Sequence, residues 1–323
     1  MCVVVVGVVT GGAGFIGGHL VRRLLGEGWR VVVVDDFSVG RLENVAGVGR
    51  VVVVGEDLRE PVRLGEVLEG CDVVFHLAAN PEVRVGEVDP GVHYGRNVGA
   101  TFSLLEVLRR VKQAKTVVFA SSSTVYGDAS VVPTGECYAP LLPISSYGAS
   151  KLACEALLSA YCFTYGHRGL ILRLANVIGP GSNHGVVSDF VKKVRGNSDV
   201  LEVLGDGTQE KSYLHVDDCI EAMMHLTKRF LEGDERVDVF NVGSSDKITV
   251  KKIARIVAEE MHVPKIRLKY TGGVDGGRGW KGDVKVMQLC TDKLCGTGWK
   301  AKYTSEQAVR LTARALANVG SVD

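Results

Sequence analysis

Tyr147 and Lys151, four residues apart, are the pair in this sequence best suited to acid–base chemistry. On a helix, which the surrounding pattern predicts, this spacing puts both side chains on one face. A free tyrosine titrates near about 10, which is too high for a base at neutral pH. An ammonium beside the phenol stabilises the phenolate, so we expect Lys151 to lower the pKa of Tyr147. Ordinary surface pairs share this spacing, so the pair alone does not establish an active site.

A run of three serines, residues 121–123, supplies hydroxyl groups after a predicted strand at 116–120. In a parallel sheet, substrates lie at the carboxyl ends of the strands. A hydroxyl at that edge can hydrogen-bond both a substrate oxygen and the phenol of a catalytic tyrosine. Serines after strands also serve as simple turn formers. The run therefore indicates an active site only in combination with the other motifs.

A glycine-rich turn, residues 10–17, follows the first predicted strand and opens the first predicted helix. Gly11, Gly12, Gly14 and Gly17 satisfy both GxxGxxG and GxGxxG. Such a turn needs positive φ, close backbone approach to a pyrophosphate and tight helix–strand packing. The N-terminus of the helix adds N–H donors and partial positive charge for the phosphates. The turn therefore predicts a dinucleotide-binding site.

Asp35 ends the second predicted strand, 18 residues after Gly17. A carboxylate at this point accepts the adenosine ribose hydroxyls and repels a 2′-phosphate, which favours NAD over NADP. Arg41 is the nearest cation that could oppose this preference. The positive nicotinamide would add to the effect of Lys151 on Tyr147. Glycine turn, aspartate, serine run and Tyr/Lys pair in this order indicate an NAD-dependent enzyme.

The elements that must position these residues alternate between strand and helix through the first half of the chain. Apolar runs without polar alternation belong to strands buried on both faces. The predicted strands are 3–9, 31–34, 51–54, 73–75, 116–120 and 170–174. The predicted helices between them are 15–26, 61–68, 92–111 and 146–165. This order predicts an α/β fold with a Rossmann-type doubly wound parallel sheet.

The second half of the chain has shorter and more polar segments. Helices are predicted at 186–195, 216–231, 250–261 and 305–319, and a buried strand at 237–242. We therefore expect an NAD-binding domain over 1–175, to which strand 237–242 returns. A smaller C-terminal α/β domain over 176–323 is expected to bind the substrate.

Composition excludes several classes of function. The chain of 323 residues carries 38 basic and 37 acidic residues, a net charge of +1, which leaves no electrostatic footprint for nucleic acid or an anionic membrane surface. No stretch approaches the roughly 20 apolar residues of a membrane helix. Eight scattered cysteines without a CxxC pair indicate reduced thiols in the cytoplasm and no metal site.

Motifs along nearly the whole chain resemble those of the extended short-chain dehydrogenase/reductases, and within them the UDP-glucose 4-epimerases of archaeal type. The matching segments of the first half are TGGAGFIG (10–17), DDFSVG (35–40), DL (57–58), HLAANPEVR (76–84), NVGAT (97–101), FASSSTVYGDA (119–129) and PISSYGASK (143–151). Those of the second half are RLANVIGP (173–180), HGVVSDFV (184–191), LGDGTQEKSYLHVDD (204–218) and RGWKGDV (278–284).

The resemblance implies a role for individual residues. Ser122 would be the catalytic hydroxyl, Tyr147 the base and Lys151 its partner, and all three would also contact substrate or cofactor. The residues expected at NAD, besides Tyr147 and Lys151, are Gly11, Gly14, Phe15, Ile16, Gly17, Asp35, Asp36, Ser38, Gly40, Asp57, Leu58, Ala78, Ala79 and Asn97. The residues expected at the UDP-hexose, besides Ser122 and Tyr147, are Asn176, Val186, Lys211, Tyr213 and Arg278.

Two departures from the family pattern affect the nucleotide half of the substrate. This chain has Lys211-Ser212 where many members have Arg-Asp, which replaces a bidentate phosphate contact with a point charge. It also has Trp280-Lys-Gly-Asp283 where many have Arg-Pro-Gly-Asp. Arg278 is the nearest candidate for the missing phosphate-binding arginine.

The family's reactions are distinguished by residues 123 and 124. Dehydratases carry an Asp-Glu pair there, and decarboxylases keep the Glu, whereas this chain has Ser123 and Thr124, which cannot shuttle protons at neutral pH. The pattern favours a 4-epimerase acting on UDP-glucose and UDP-galactose. UDP-N-acetylhexosamine or UDP-uronate epimerisation stays open as the first alternative, and a dehydratase or reductase and a non-catalytic NAD-binding scaffold stay open behind it.

The resemblance also implies a homodimer. Relatives pair two helices into a four-helix bundle, here residues 92–111 and 146–165. The second helix carries an apolar band at helical spacing. Its members are Leu152, Ala153, Ala156, Leu157, Ala160 and Tyr161. Because the catalytic face already uses Tyr147 and Lys151, we expect this band to contact a second copy across a two-fold axis.

Overall fold

The computed structural model describes residues 4–113 and 115–318, and a seven-stranded sheet forms its centre. The strand order is β11-β6-β5-β4-β1-β2-β3, and the pairs β1–β2, β2–β3, β1–β4 and β4–β5 are parallel. These strands are β1 (Val6–Thr10), β2 (Arg30–Asp35), β3 (Val51–Gly55), β4 (Val73–His76), β5 (Thr116–Ser122), β6 (Arg168–Leu174) and β11 (Val237–Val242). The Rossmann-type doubly wound fold and the returning strand are confirmed.

Helices accompany this sheet at the positions that crossover connections require. They are α1 (Phe15–Gly26), α2 (Leu64–Glu69), α3 (Gly91–His93), a π-helix (Tyr94–Gly99), α4 (Ala100–Leu108) and α5 (Ser146–Tyr165). A hydrophobic core of valines and leucines lies between strands and helices, with Leu64, Leu104 and Leu158 among its buried members. Short 3-10 helices cover 42–44, 83–87 and 123–126.

Smaller sheets and longer helices make up the later part of the chain. The strands are β7 (Asn176–Ile178), β8 (Val200–Val203), β9 (Glu210–Lys211), β10 (Tyr213–His215), β12 (Ile248–Thr249), β13 (Arg267–Tyr270) and β14 (Val286–Met287). The helices are α6 (Val186–Gly196), α7 (Val216–Glu232), α8 (Val250–Glu260), α9 (Asp292–Cys295) and α10 (Ser305–Asn318). Apolar faces of α6, α8 and α10 form a second core around Phe190, Ile253 and Val309.

The predicted elements differ from the observed ones at the first strand and at two helices. The strand predicted at 3–9 begins at Val6, so residues 4 and 5 lie before it. The helix predicted at 61–68 begins at Leu64, since Glu56 binds the backbone N–H of Val62 and Arg63 just before it. The single helix predicted at 92–111 is instead α3, the π-helix and α4, ending at Leu108. Glycines at 91, 95 and 99 weaken regular α-helix there and accommodate the wider π turn. Val3 and Val319, predicted ends of a strand and a helix, lie outside the described residues.

Contacts divide the chain into two compact units that are discontinuous in sequence. The first comprises residues 1–122, 146–173 and 220–240, and the second comprises 123–145, 174–219 and 241–323. The chain therefore crosses between units several times, whereas the sequence predicts a boundary after residue 175 and a return only at 237–242. One of the crossings, at 173/174, lies beside that boundary.

No helix within the described ranges is long and apolar enough to cross a membrane. Seven cysteines, at 71, 137, 154, 162, 219, 290 and 295, are free thiols. Cys2, which the sequence analysis also counted, lies outside the described residues.

Candidate active site

The glycine turn between β1 and α1 has the close backbone packing that its sequence predicts. Gly11 has a φ of 70° and its N–H donates to the Val34 carbonyl at 2.9 Å. A Cβ at Gly11 would lie 2.7 Å from the Ala78 nitrogen, and one at Gly17 would lie 2.2 Å from the Gly11 oxygen. Only glycine fits at these two positions. Helix α1 follows at Phe15, and no side chain caps its start at Gly14.

Asp35 lies at the end of β2, where the sequence places the ribose-binding carboxylate. It is buried, and its two oxygens accept the backbone N–H groups of Ala13 and Phe37, both at 2.9 Å. Burial raises the pKa of this carboxyl group. A Cβ at Gly40 would lie 2.8 Å from Asp35 Oδ1, so a small residue is required beside the carboxylate. Asp35 therefore also holds the glycine turn in place through Ala13.

The residues after Asp35 form a polar, exposed cluster. Asp36 Oδ1 accepts hydrogen bonds from the Ser38 N–H and hydroxyl at 2.9 and 2.6 Å. Arg96 donates to Ser38 Oγ at 2.5 Å and lies 3.9 Å from Asp36. Arg96 is separated from Ser38 by 58 residues, so no local pattern of the sequence, which points to Arg41, indicates it. Arg96 is therefore a cation beside the predicted ribose site.

The other residues predicted at NAD follow β3 and β4 or belong to neighbouring helices. Asp57 pairs with Arg59 at 2.6 Å, and Leu58 is buried. Phe15, Ile16, Ala78 and Ala79 are half-buried. The Ala78 N–H donates to Thr10 Oγ1 at 3.4 Å.

Asn97, also predicted at NAD, is buried in the π-helix. Its Nδ2 donates to Ser150 Oγ and its Oδ1 accepts the Asn80 N–H, both at 2.8 Å. Both ends of the amide are thus hydrogen-bonded to protein groups, so the side chain links the π-helix to α5 and to the segment after β4.

Ser122, Tyr147 and Lys151 come together in the first unit. The Ser122 side chain is hydrogen-bonded to that of Tyr147. Lys151 Nζ lies 5.9 Å from the centroid of the Tyr147 ring and donates to the Ala120 carbonyl at 2.8 Å. Strand β5 carries the serine and helix α5 carries the tyrosine and lysine. This arrangement gives the phenol a hydroxyl partner and a nearby cation.

The pKa of Tyr147 differs from the sequence-based expectation. Burial raises the pKa of Tyr147 to about 12, and the Ser122 hydrogen bond offsets only part of this effect. Burial also lowers the pKa of Lys151 to about 8. The expectation of a lowered phenol pKa is therefore wrong for the protein groups alone, because desolvation of the phenolate outweighs the Ser122 hydrogen bond.

A buried ion pair supports these residues and was missed from the sequence. Glu155, one turn after Lys151 on α5, binds Arg173 of β6 at 2.7 and 3.0 Å. Its Oε1 also accepts the Ser121 hydroxyl at 2.5 Å. Burial of a charged pair requires this degree of hydrogen bonding. The visible signal was a glutamate four residues after the lysine on an otherwise apolar helix.

The candidates for the nucleotide lie in the second unit. Lys211 Nζ binds Asp283 Oδ1 at 2.5 Å and lies 5.5 Å from the centroid of the Trp280 ring. The Asp283 carboxylate is 3% exposed. The two positions at which the chain departs from the family pattern are therefore in contact with each other.

Arg278 is held by other protein groups. Its guanidinium makes two hydrogen bonds to Asp128, at 3.0 and 2.9 Å, and one to the Asp283 carbonyl at 2.5 Å. A phosphate would have to compete with these partners. Arg278 is thus placed near Lys211 through their shared partner Asp283.

The remaining substrate candidates have varied surroundings. Asn176 Nδ2 donates to the Ser212 carbonyl at 3.1 Å. Val186 is the first residue of α6 and is half-buried. Tyr213 is buried, and burial raises the pKa of its phenol. Across the described part of the chain, no group of three or more His, Cys, Asp or Glu side chains is arranged to hold a metal ion.

Comparisons with known proteins place the sequence and the fold in one family. Residues 8–243 match the model of the NAD dependent epimerase/dehydratase family. A crystal structure described as UDP-galactose 4-epimerase is 46% identical, with a TM-score of 0.85, and covers 97% of this chain and 99% of its own. UDP-glucose 4-epimerase of Mycolicibacterium smegmatis is 31% identical over 87% of this chain and 94% of its own. UDP-glucuronic acid decarboxylase 4 of Arabidopsis thaliana is 32% identical over 95% of this chain and 67% of its own.

Proposed function

This chain belongs to the NAD dependent epimerase/dehydratase family, and from that premise we propose that it is an NAD-dependent 4-epimerase of UDP-hexoses. The reaction interconverts UDP-glucose and UDP-galactose through a 4-keto intermediate. The observation that carries the proposal is the hydrogen bond between Ser122 and Tyr147, with Lys151 one turn further along the same helix. The enzyme is an isomerase, so no net oxidation occurs.

The glycine turn supports NAD as the cofactor. Residues 11 and 17 are glycines because a Cβ at either position would collide with backbone atoms. The turn therefore has no side chain there, and a pyrophosphate can approach its backbone. Asp35 offers a carboxylate to the ribose hydroxyls at the end of β2. The chemistry that NAD supplies when bound is hydride exchange with C4 of the hexose, and its oxidised ring adds positive charge near the phenol.

Tyr147 holds and moves the proton of the reaction. Its phenol oxygen takes the proton of the 4-hydroxyl during oxidation and returns it during reduction. The Ser122 hydroxyl orients the phenol through their hydrogen bond. Lys151 favours the phenolate and is held by the Ala120 carbonyl. Because burial keeps the phenol neutral in the protein alone, we infer that Tyr147 ionises only when further positive charge faces it.

Residues 123 and 124 favour epimerisation over decarboxylation, which an Arabidopsis relative performs by name. Ser123 is buried and Thr124 is half-buried, and both follow Ser122 in a 3-10 helix. Neither hydroxyl can act as an acid or base at neutral pH. The groups present thus suffice for oxidation and reduction at C4 and supply no second acid–base pair.

We assign the UDP moiety to the second unit. Lys211 offers a single positive charge to the diphosphate, and Arg278 offers a second one. Asn176, Val186 and Tyr213 complete the proposed contacts. Firm binding of the remote UDP allows the hexose itself to be held loosely, as rotation of the 4-keto sugar requires.

We also infer a cytoplasmic homodimer. On α5, the exposed positions Ala149, Ala156, Ala160 and Phe163 are spaced by seven, four and three residues, the spacing of a helix–helix seam. Phe163 is 70% exposed. Leu157 and Tyr161, which the sequence assigns to the seam, instead pack against the core of their own unit. The small alanines would let a second copy of the helix approach closely.

The test of the proposed function is conversion of UDP-galactose by the purified protein without added reductant. We expect UDP-glucose to accumulate to equilibrium with at most catalytic NAD. UDP-N-acetylgalactosamine and UDP-galacturonate are assayed in parallel, since sequence leaves these substrates open. Accumulation of a pentose product or of stoichiometric NADH would contradict the proposal.

A further inference from the structure

Tyr147 lies in the least secure part of the helix that carries it. Helix α5 begins at Ser146, so the proposed base is only the second residue of a 20-residue helix. The first N–H groups of a helix have no intrahelical partner, and helix ends fray. Lys151 and Glu155 lie further along α5 and are buried. Accurate placement of the phenol therefore depends on whatever fixes the first turn.

A series of polar contacts, here termed the polar ladder, joins α5 to the π-helix and its neighbour α3. His93 Nδ1 lies 2.8 Å from Ser146 Oγ, and Asn97 Nδ2 donates to Ser150 Oγ at 2.8 Å. The Cys154 thiol donates to the Asn97 carbonyl at 3.5 Å. The residues contacted on α5 are four apart, and each directly precedes Tyr147, Lys151 or Glu155.

The spacing of His93 and Asn97 explains why both can face the same neighbour. Side chains four residues apart lie on one face of a helix, as Ser146 and Ser150 do on α5. The π-helix begins at Tyr94, directly after His93, and contains Asn97. Both side chains therefore contact α5.

His93 is the outermost contact of the polar ladder and the one nearest the base. Its side chain is fully buried, and its ring lies 5.6 Å from the Tyr147 ring, centroid to centroid, in an edge-to-face arrangement. Nε2 lies 3.1 Å from the Glu82 carbonyl, which can only accept, so Nε2 carries the proton. Nδ1 is therefore the acceptor for the Ser146 hydroxyl. Burial lowers the pKa of His93, which preserves this neutral form.

The space around this contact is closed by Gly86. A Cβ at Gly86 would lie 1.9 Å from Ser146 Oγ and 2.9 Å from His93 Nδ1. No side chain larger than hydrogen fits there without displacing the contact. Glycine, histidine and serine thus form one packed unit at the start of α5.

We propose that His93 is a positioning residue for catalysis: through Ser146 and the edge of its ring it fixes the first turn of α5 and so the Tyr147 phenol. The expected effect on catalysis rests on the proposed function. The role of His93 in fixing the first helix turn does not depend on that function. His93 contacts no substrate in this scheme. Its loss should lower kcat and leave nucleotide binding unchanged.

The test compares His93→Phe and Ser146→Ala with His167→Phe. Phenylalanine at 93 keeps a flat ring but loses both hydrogen bonds, and Ser146→Ala removes one partner with little effect on packing. His167 is a matched control, because it is also a buried histidine of the first unit and accepts the Lys115 N–H at 3.1 Å. We expect kcat for UDP-galactose to fall roughly ten- to a hundredfold in the first two variants, with KM within about threefold.

Hydrogen exchange supplies a readout that needs no substrate. Amides of residues 149–152 are the first in α5 with an intrahelical partner, and they should exchange at least about tenfold faster in Ser146→Ala, while those of β5 keep their protection. Equal kcat losses in His93→Phe and His167→Phe, or unchanged exchange at 149–152 in Ser146→Ala, would overturn the proposal. If the wild type does not epimerise UDP-hexoses, the proposed function fails, yet the exchange experiment still decides whether His93 and Ser146 fix the helix turn.

Discussion

The groups proposed for hydride chemistry and those proposed for holding the nucleotide are built on different scaffolds. Ser122, Tyr147 and Lys151 lie on a long strand and a 20-residue helix of the first unit. Lys211 lies on a two-residue strand, and Arg278 follows a loop in which several glycines have positive φ. Regular elements hold the groups proposed for the chemistry, and ion pairs hold the groups proposed for the nucleotide. The placement of the second group therefore depends on side-chain partners rather than on a long helix or strand.

The largest expected effect comes from removing the base. Tyr147→Phe should lower kcat roughly a hundred- to ten-thousandfold, because the hydroxyl acts only in the transition state. KM for UDP-galactose should change little. Tyr161→Phe is the control: it removes a hydroxyl from the same helix, where it binds Glu106 at 2.6 Å. If Tyr147→Phe keeps more than about a tenth of wild-type kcat, the base is misassigned.

The nucleotide contacts should respond in KM rather than in kcat. Lys211→Met removes a charge-assisted contact, worth about 1.5–3 kcal/mol or roughly ten- to a hundredfold in KM. It also leaves the buried Asp283 carboxylate without its cation. Lys211→Arg should restore affinity, because a guanidinium carries the same charge. Lys285→Met, which breaks the more exposed pair with Asp206, is the control. A fall in kcat at constant KM in Lys211→Met would show that Lys211 acts in the chemical step, and it would contradict its assignment to nucleotide binding.

These two regions also differ in how far sequence could predict them. The glycine turn, Asp35 and the Tyr/Lys pair are local patterns on regular elements, and the structure places them at strand ends and on a helix as expected. The partners of Lys211 and Arg278 are 72 and 150 residues away in the chain. No local pattern encodes such a partner. Arg173, which binds Glu155 in the core, escaped sequence analysis for the same reason.

The pKa of Tyr147 escaped prediction for another reason. Sequence identified the neighbouring charge but not the degree of burial, and here burial has the larger effect on the pKa. Similarly, three glycines in 91–99 indicated nothing specific until the π-helix was seen.

The proposed dimer seam lies on the exposed face of α5, the helix that also carries Tyr147 and Lys151. Phe163→Glu places a charge on an exposed position of the seam and should yield a monomeric mass by light scattering at micromolar concentration. Val62→Glu is the control, because Val62 is 88% exposed in the same unit and is not part of this helix. A dimeric mass for Phe163→Glu, or a monomeric mass for the unmodified protein, would refute the seam.

The smallest effect is a pH dependence of stability in the first unit. His76 is buried between Thr10 and Thr101, and burial lowers its pKa to about 3. Below pH 6.5 the unfolded chain binds a proton at this histidine that the folded chain does not. The free energy of unfolding therefore decreases as the pH is lowered. From pH 6.5 to 5 this amounts to about 2 kcal/mol for one histidine. Denaturant unfolding should show a smaller loss for His76→Asn than for wild type over this range. Equal losses would contradict the assignment.

The fate of the C4 hydrogen tests the central claim most directly. UDP-galactose carrying deuterium at C4 is incubated with the purified protein, and the UDP-glucose formed is analysed by mass spectrometry and NMR. If hydride leaves C4 and returns to the same carbon, the product keeps deuterium at C4 with no washout into solvent. Loss of the label to water, or a product with altered C5 or C6, would contradict epimerisation through a 4-keto intermediate.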